Sequence, residues 1–462
     1  MKTQSTRFTK TQLTGLLSAY YNGTSYIGIE DADMLQATLP AGVTADPRGT
    51  IRKVGAGFTC PEKFFGVHTR NLDSITALAA AGAKSVRLRD VGVAWDECWW
   101  KVRALAFSVS PASTITWAAH GADPARHAFV AYGTMLPSGI TTRTLYYIVN
   151  PTANTFQLSL TAGGAPISLG GTVSAAFGAI VQMSKMHMDG VSGLLDQVVA
   201  TASAAGMDII YDCSHPPASI TDGVVNVNGR ATNRCTVSVH ATNFFKFLMD
   251  RYASKINYFE AWNEPNDTLQ FSGTMTGSSN DLLTYTAYWF DAITLFSSTA
   301  KVITPSFNVV TGVAAMDAWL QTVNGSAVAA ADKCHVFGFH PYRGGNVQLG
   351  YSNEILDQYI AVGNARMSGK EIWITEVGES YPDEAILWRA HAYAMARGVA
   401  RMFWYDYDMA AGKGDMRLTS YEGLPAAYRG MITACAGQTI DYVNQCYDRR
   451  LGVGVGSVSA VF

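Results

Sequence analysis

The sequence predicts an α/β fold in which eight parallel strands close into a barrel. Three observations predict it: eight short β-rich runs, helical stretches between most of them, and a length that suits one barrel once an insertion is set aside. The β-rich runs lie at 63–69, 85–90, 207–213, 257–263, 301–308, 335–342, 371–377 and 402–407. The helical stretches lie at 71–81, 191–204, 242–252, 282–298, 316–323, 355–365 and 383–398.

Alternation of strand and helix implies parallel strands joined by right-handed crossovers. Eight such units imply a (β/α)₈ TIM barrel, whose functional residues lie where strands end and the following loops begin. We assign residues 51–100 and 184–436 to this barrel.

Residues 101–183 interrupt the barrel after its second strand. They are rich in Thr, Ala, Gly, Val and Tyr, and short alternating segments such as TLYYIVN are separated by turn signals such as PSG and AGGAP. This pattern predicts a small antiparallel β module. Without the module, residues 63–435 retain 290 residues, near the ~250 of a plain barrel.

The two ends of the chain fall outside the barrel pattern. Residues 1–50 show no clear period and are assigned to an N-terminal extension, a candidate for docking to a particle. Residues 437–462 are assigned to a C-terminal tail that holds one β segment packed on the barrel or on a partner.

Composition excludes several classes of function. The formal net charge is −2, which gives no support to a nucleic-acid binder, since such a protein needs a basic field. No stretch reaches the ~18 apolar residues of a membrane span, and the basic start is followed by a poor signal-peptide core. The seven cysteines contain no CxxC and the nine histidines no HExxH, so we expect buried thiols and no metal or other cofactor.

Two carboxylates fall at strand ends on opposing parts of the ring. Asn263 and Glu264 end the fourth strand in FEAWNEPN, and Glu376 ends the seventh in WITEVGE. A pair of carboxyl groups at one rim is what glycoside hydrolysis requires, because one protonates the leaving oxygen while the other attacks the anomeric carbon or activates water.

Other polar and aromatic residues at the strand ends are candidate substrate contacts. Arg and Tyr near a carboxylate hold it ionised and oriented, and a tryptophan offers a flat face to a sugar ring. These candidates are His68, Arg87, His215, His340, Tyr342 and Trp404.

Four motifs in fixed order resemble the clan A glycoside hydrolases and look most like family 39, which includes β-xylosidases, α-iduronidases and bacterial exopolysaccharide hydrolases. The motifs are WNEPN at 262–266, GFHPY at 338–342, ITEVG at 374–378 and FWYDY at 403–407. The resemblance implies that Glu264 is the acid/base and Glu376 the nucleophile of a retaining enzyme. It also implies that Asn263 binds the sugar 2-hydroxyl and that Tyr342 hydrogen-bonds the nucleophile.

The insertion resembles small β modules of phage tail proteins at 120–121, 136–149 and 154–167. We therefore expect a retaining endo-glycosidase that cleaves a bacterial exopolysaccharide or capsule, located outside the cell or on a virion. Phage particle proteins or self-association are the expected protein contacts. Two alternatives stay open: an exo-acting β-xylosidase-like enzyme, and a tail protein that binds polysaccharide without cleaving it.

Overall fold

The structure, a computed structural model, describes most of the chain from residue 43 onward. The described residues are 43–45, 50–53, 58–68, 72–109, 113–186, 188, 193–252, 255–277, 280–297, 299–323, 327–343, 352–379, 384–405, 424–445, 451–455 and 458–461. Most of the predicted N-terminal extension, residues 1–42 and 46–49, lies outside them.

The strands are β1 (Val43–Ala45), β2 (Thr50–Lys53), β3 (Phe58–Thr59), β4 (Phe65–His68), β5 (Ser85–Leu88), β6 (Trp99–Ala104), β7 (Phe107–Ser108), β8 (Thr114–Thr116), β9 (His127–Met135), β10 (Leu145–Val149), β11 (Thr155–Ser159), β12 (Ser174–Gln182), β13 (Asp208–Asp212), β14 (Tyr258–Glu260), β15 (Lys301–Ile303), β16 (Phe307–Asn308), β17 (Val336–His340), β18 (Glu371–Val377), β19 (Arg401–Trp404), β20 (Thr439–Gln445), β21 (Leu451–Val455) and β22 (Val458–Val461). The helices are α1 (Leu72–Ala80), α2 (Trp95–Cys98), α3 (Leu194–Ala204), α4 (Ser238–Tyr252), α5 (Asp281–Phe296), α6 (Val309–Leu320), α7 (Asn353–Arg366), α8 (Glu384–Ala396) and α9 (Leu424–Cys435).

Eight parallel strands form a closed barrel, which confirms the predicted fold class. The order around the ring is β4, β5, β13, β14, β15, β17, β18 and β19, and β19 pairs with β4 to close it. The short β16 continues the fifth strand after a break and pairs with β17. Because all eight strands run the same way, their carboxyl ends meet at one rim.

The barrel interior is filled by one large side chain from most strands. Phe403 reaches across to Gly66, where an added Cβ would lie 2.4 Å from the Phe403 ring, so only glycine fits at that point. The remaining interior cluster consists of Ile210, Tyr258, Ile303, Val336 and Trp373. These layers pack the lower barrel and leave the polar residues to the rim above.

Residues 99–182 form a separate seven-stranded sheet in the order β6-β12-β9-β10-β11-β8-β7. Along β9 the side chains alternate between two faces. One face carries Tyr132 and joins the barrel core, where Trp99 packs edge-on against Phe244 of α4. The opposite face carries Phe129 and forms a smaller core of its own with Phe156. The module is therefore fused to the barrel through one face of its sheet.

The chain ends contribute to a third sheet. β20 of the predicted tail pairs with β2, with β3 and with β21, and β1 and β22 lie at the outer edges of this sheet. The sequence of the tail alone could not predict these pairings, because the paired strands lie far apart in the chain.

Two further findings concern the described residues only. The six cysteines among them are buried and free. Across the same residues, no helix combines the length and apolarity that crossing a bilayer would need.

Candidate active site

The rim at the carboxyl ends of the strands gathers most of the predicted site residues. His68 ends β4, Arg87 lies in β5, and Glu376 is the sixth residue of β18. His340 ends β17, and Asn263 and Glu264 follow β14. Hydrogen bonds join these side chains into one network centred on Arg87 and on His340.

Arg87 is fully buried and, besides its contact with His68, donates to oxygen atoms of three side chains at once. Its Nε donates to Glu260 Oε2 at 2.7 Å, its Nη1 donates to Glu376 Oε2 at 2.8 Å, and its Nη2 donates to Asn263 Oδ1 at 2.7 Å. Burial alone would lower the pKa of Arg87, but the charges of Glu260 and Glu376 outweigh it and raise that pKa above its ordinary value. The guanidinium is therefore a fixed positive charge beside Glu376.

Glu376 is nearly enclosed, with 7% of its surface exposed. Besides the bond from Arg87, it receives the Tyr342 hydroxyl on Oε1 at 3.2 Å. His68 Nδ1 lies 3.7 Å from Oε2. A charged donor on one oxygen and a neutral donor on the other fix the orientation of the Glu376 carboxyl group, which suits a nucleophile.

Glu264 has a different environment. Its backbone has φ of 49°, in the left-handed region that residues other than glycine seldom adopt, and its N–H donates to Ser306 O at 2.8 Å. Its Oε1 lies 2.9 Å from Nδ1 of the buried His340. Burial, ahead of nearby charges, lowers the pKa of His340 to about 4, so this imidazole is neutral near pH 7. No guanidinium or ammonium group bonds Glu264 among the described residues, in contrast to Glu376.

Asn263 is positioned from two sides. Its Oδ1 accepts from Arg87, and its backbone N–H donates to Ser214 Oγ at 2.8 Å. Ser214 in turn donates to Asp212, whose pKa is lowered to about 2 because the Arg89 and Arg87 charges outweigh the effect of burial. Since Oδ1 is engaged, the NH₂ of Asn263 is the part that can bind a ligand.

Glu264, His340 and Glu376 each present one nitrogen or oxygen atom within 4.8 Å of the others. Three such donors could hold a cation. Glu376 already accepts from Arg87 through Oε2, so a metal ion bound to this carboxylate would lie near a buried guanidinium. The set is therefore better suited to handling protons than to binding a metal ion.

Four of the seven predicted substrate contacts are fully buried. They are His68, Arg87, His340 and Trp404. The first three act through their neighbours. His68 accepts from Arg87 at Nδ1 and donates from Nε2 to Asp90 Oδ2 at 3.0 Å, so it braces Arg87.

Trp404 lies on the outer face of its strand. It pairs in register with Val67, faces the helix layer and stacks on His391 of α8, with ring centroids 5.5 Å apart. Side chains alternate along a strand, so the positions on either side of Trp404 point inward. Tyr405 takes the inward position and packs edge-on against His68.

His215 is nearly buried and serves its own loop. Its Nδ1 donates to Ala231 O at 2.7 Å, and burial, helped by the Arg230 charge, lowers its pKa to about 3. The neutral ring packs edge-on against Trp262. It is thus a support of the loop after β13 rather than an exposed sugar contact.

Sequence reasoning missed the hydroxyl groups that connect the carboxylates. Ser306 and Thr375 are fully buried between Glu260 and His340. Thr375 directly precedes Glu376, so the sequence alone could have indicated that its hydroxyl lies near the proposed nucleophile. Ser306 lies in the break between β15 and β16 and offered no such signal.

Comparison with known proteins gives one family match. The family described as Cellulase (glycosyl hydrolase family 5) matches residues 152–408. No curated protein matches the chain.

Solved structures with a similar fold include three glycosidases at low sequence identity. A GH30 endoxylanase from Clostridium papyrosolvens C71 has 11% identity and a TM-score of 0.46, over 88% of this chain and 82% of that one. A family 39 glycoside hydrolase from Bacteroides cellulosilyticus WH2 has 12% identity and a TM-score of 0.47, over 90% and 74%. A GH family 44 xyloglucanase from Paenibacillus polymyxa has 11% identity and a TM-score of 0.41, over 87% and 79%.

Proposed function

Because the chain belongs to the cellulase family, glycosyl hydrolase family 5 of clan A, it is a glycoside hydrolase, and we propose that it is a retaining endo-glycosidase. One observation carries the proposal. Two carboxyl groups meet at the rim in contrasting environments, Glu376 bonded to a guanidinium and Glu264 to a neutral imidazole. Such a contrast separates a nucleophile from an acid.

In the proposed reaction Glu264 gives its proton to the glycosidic oxygen while a Glu376 oxygen bonds to the anomeric carbon. The bond from that carbon to the leaving oxygen breaks, and a glycosyl-enzyme forms. Glu264, now a carboxylate, takes a proton from water. The resulting hydroxide oxygen bonds to the anomeric carbon and releases Glu376. The Asn263 NH₂ would bind the sugar 2-hydroxyl.

The retaining outcome is supported by the carboxyl spacing. One oxygen of Glu264 lies within 4.8 Å of one oxygen of Glu376. Retaining enzymes hold the two groups about 5–5.5 Å apart, whereas inverting enzymes leave about 6.5–9.5 Å for a water molecule. The short separation favours direct attack by Glu376.

The substrate we propose is a bacterial exopolysaccharide or capsule, cleaved internally by a virion-associated or extracellular enzyme. This proposal rests on the resemblance of the inserted module to phage tail modules and on the resemblance of the motifs to family 39. Plant-type β-glucans and xylans are the competing substrates. They are suggested by the family description and by the names of the xylanase and the xyloglucanase. Product identity separates the two.

The test is reducing-end release with product sizing, from bacterial capsules, exopolysaccharides, carboxymethylcellulose and xylan. We expect wild type to release oligosaccharides from one bacterial polysaccharide, and Glu376→Gln to lose at least ~10³-fold in turnover while still binding it, because the amide keeps the shape but not the nucleophile. Glu379→Gln, also acidic and buried after β18, is the matched control and keeps turnover.

Each other outcome overturns one part of the proposal. Monosaccharide products favour the exo-acting alternative. Cleavage of carboxymethylcellulose or xylan alone replaces the bacterial substrate. Binding without cleavage by either protein favours the polysaccharide-binding tail protein. A Glu376→Gln variant with near wild-type turnover removes the nucleophile assignment.

A further inference from the structure

A chain of four hydrogen bonds crosses the barrel from Glu260 to Glu264. Ser306 Oγ donates to Glu260 Oε1 and lies 2.7 Å from Thr375 Oγ1. Thr375 Oγ1 lies 3.1 Å from His340 Nε2, and His340 Nδ1 lies 2.9 Å from Glu264 Oε1. Glu260, Ser306, Thr375 and His340 are all fully buried, so water does not interrupt the chain.

Counting hydrogens gives this chain one direction. Glu260 Oε2 accepts from Arg87 Nε at 2.7 Å and forms an ion pair with Nη2 at 2.6 Å, and a carboxylate paired in this way with a guanidinium can only accept. The single Ser306 hydrogen therefore points to Glu260. The Ser306–Thr375 contact then needs the single Thr375 hydrogen. Thr375 has none left for His340, so the hydrogen between them must lie on His340 Nε2.

We propose that Ser306 and Thr375 are positioning residues that fix the His340 proton on Nε2, so that Nδ1 accepts a hydrogen bond from the protonated carboxyl of Glu264. This inference rests on the proposed function, because it assigns Glu264 the role of acid. His340 itself gives up no proton. Glu264 loses its proton to the glycosidic oxygen in the first step and regains one from water in the second.

The alternative of a charged His340 is disfavoured by its surroundings. An imidazolium could donate at both nitrogens and would face a Glu264 carboxylate. Burial opposes that charge first. The Glu376 charge favours it and the Arg87 guanidinium opposes it, and the balance lowers the pKa of the ring to about 4. Near pH 7 His340 is therefore neutral and carries a single ring proton.

The surroundings of Glu264 are otherwise acidic or neutral. The titratable groups that face it are His340 of β17, Glu376 of β18, Tyr342 after β17 and Tyr359 of α7. Burial is the main reason why the pKa values of both tyrosines lie well above the ordinary range, so they stay neutral.

The direct test is the tautomer of His340, read from long-range ¹H–¹⁵N spectra of full-length protein with labelled histidine at pH 7. His340 is assigned by the signals that vanish in His340→Gln. We expect the proton on Nε2 in wild type and in Thr375→Ser, which keeps the hydroxyl. Thr375→Val should release the constraint and shift the ring toward the Nδ1-protonated form. A wild-type His340 protonated on Nδ1 overturns the proposal.

The second test is the pH profile of kcat/KM on the polysaccharide identified by the reducing-end screen. In Thr375→Val the alkaline limb of the profile should move to lower pH. We expect kcat/KM to fall about tenfold on that limb and to change little near the acid limb. Thr375→Ser should restore it. Thr286→Val, which removes another buried hydroxyl in α5, should leave the profile unchanged.

The two proposals fail separately. If no polysaccharide is cleaved, the proposed function fails while the tautomer still decides the hydrogen-bond chain. If cleavage occurs and Thr375→Val keeps both the wild-type tautomer and the wild-type profile, the chain has no positioning role and the glycosidase assignment stands.

Discussion

Arg87 balances the charge of two buried carboxylates. Its guanidinium is a planar fork whose nitrogens reach Glu260, Glu376 and Asn263 in different directions. A lysine carries the same charge but lacks this fork, so it could not hold all three partners at once. One residue therefore aligns the proposed nucleophile, the proposed 2-hydroxyl contact and the first member of the hydrogen-bond chain.

Replacement of Arg87 by Met should destabilise the protein by about 3–5 kcal/mol, because Glu260 would remain buried without its cation. Denaturant unfolding measures the loss. Arg126→Met, which breaks the exposed pair with Asp123, should stay within about 0.5 kcal/mol. Adding Glu260→Gln to Arg87→Met should recover part of the stability. A single variant as stable as wild type would contradict the charge-balance argument.

The residues that the sequence could predict are those whose chemistry and strand-end position coincide. Glu264, Glu376 and Tyr342 are examples, and all three occupy the rim. For Trp404, strand-end position does not say which face of the strand the side chain takes; its register beside Val67 decides that. Ser306 could not be predicted, since its role depends on contacts with residues 46 and 69 positions away.

At the scale of elements, the inserted sheet and helix α4 share one core. Trp99 stacks on Tyr132 at 5.2 Å and meets Phe244 edge-on at 5.0 Å. The Tyr132 hydroxyl lies 2.8 Å from Nδ1 of His240 in the same helix. The sequence predicted a β module from its turns and alternation. It did not predict the contact between this sheet and α4, because tertiary packing decides which face of a sheet meets a helix.

Tyr132→Ala should cost about 3–5 kcal/mol of unfolding free energy, because it empties a fully buried site between sheet and helix. Tyr132→Phe keeps the ring and should cost only about 1 kcal/mol for the hydrogen bond. Leu160→Ala, on a side chain 67% exposed, is the matched control and should change stability by less than about 0.5 kcal/mol. Urea unfolding distinguishes the three. Equal effects of Tyr132→Ala and Leu160→Ala would show that the module does not share the barrel core.

Over the whole molecule, buried histidines make stability depend on pH. Burial lowers the pKa of His240, His340 and His391 to about 4 and of His215 to about 3. In the unfolded chain they titrate near pH 6.5, so the unfolded state binds more protons between about pH 6.5 and 4. Their contribution to stability is complete above pH 6.5 and is lost as pH falls. Two carboxyls oppose them, because burial raises the pKa of Asp96 and of Asp357 to about 6.

The balance is a net excess of about two protons in the unfolded state between pH 6 and 4, which corresponds to about 3 kcal/mol lost per pH unit. Denaturant unfolding across this range measures the slope. His391→Phe removes one of these histidines and should reduce the slope by about half. Its ring already stacks on Phe65 and Trp404, so a phenyl group fits the site. A variant slope equal to that of wild type would exclude His391 as a contributor.

The inserted module leaves and re-enters the barrel through two adjacent strands. β6 and β12 are antiparallel neighbours, and Trp99 pairs in register with Val181. The chain therefore leaves the barrel and returns to it at neighbouring positions, so the length of the inserted segment does not affect the geometry of the barrel. Recombination could therefore exchange the segment between β6 and β12 without moving the rim carboxylates. The incoming segment would need its own apolar side chains to pack against α4.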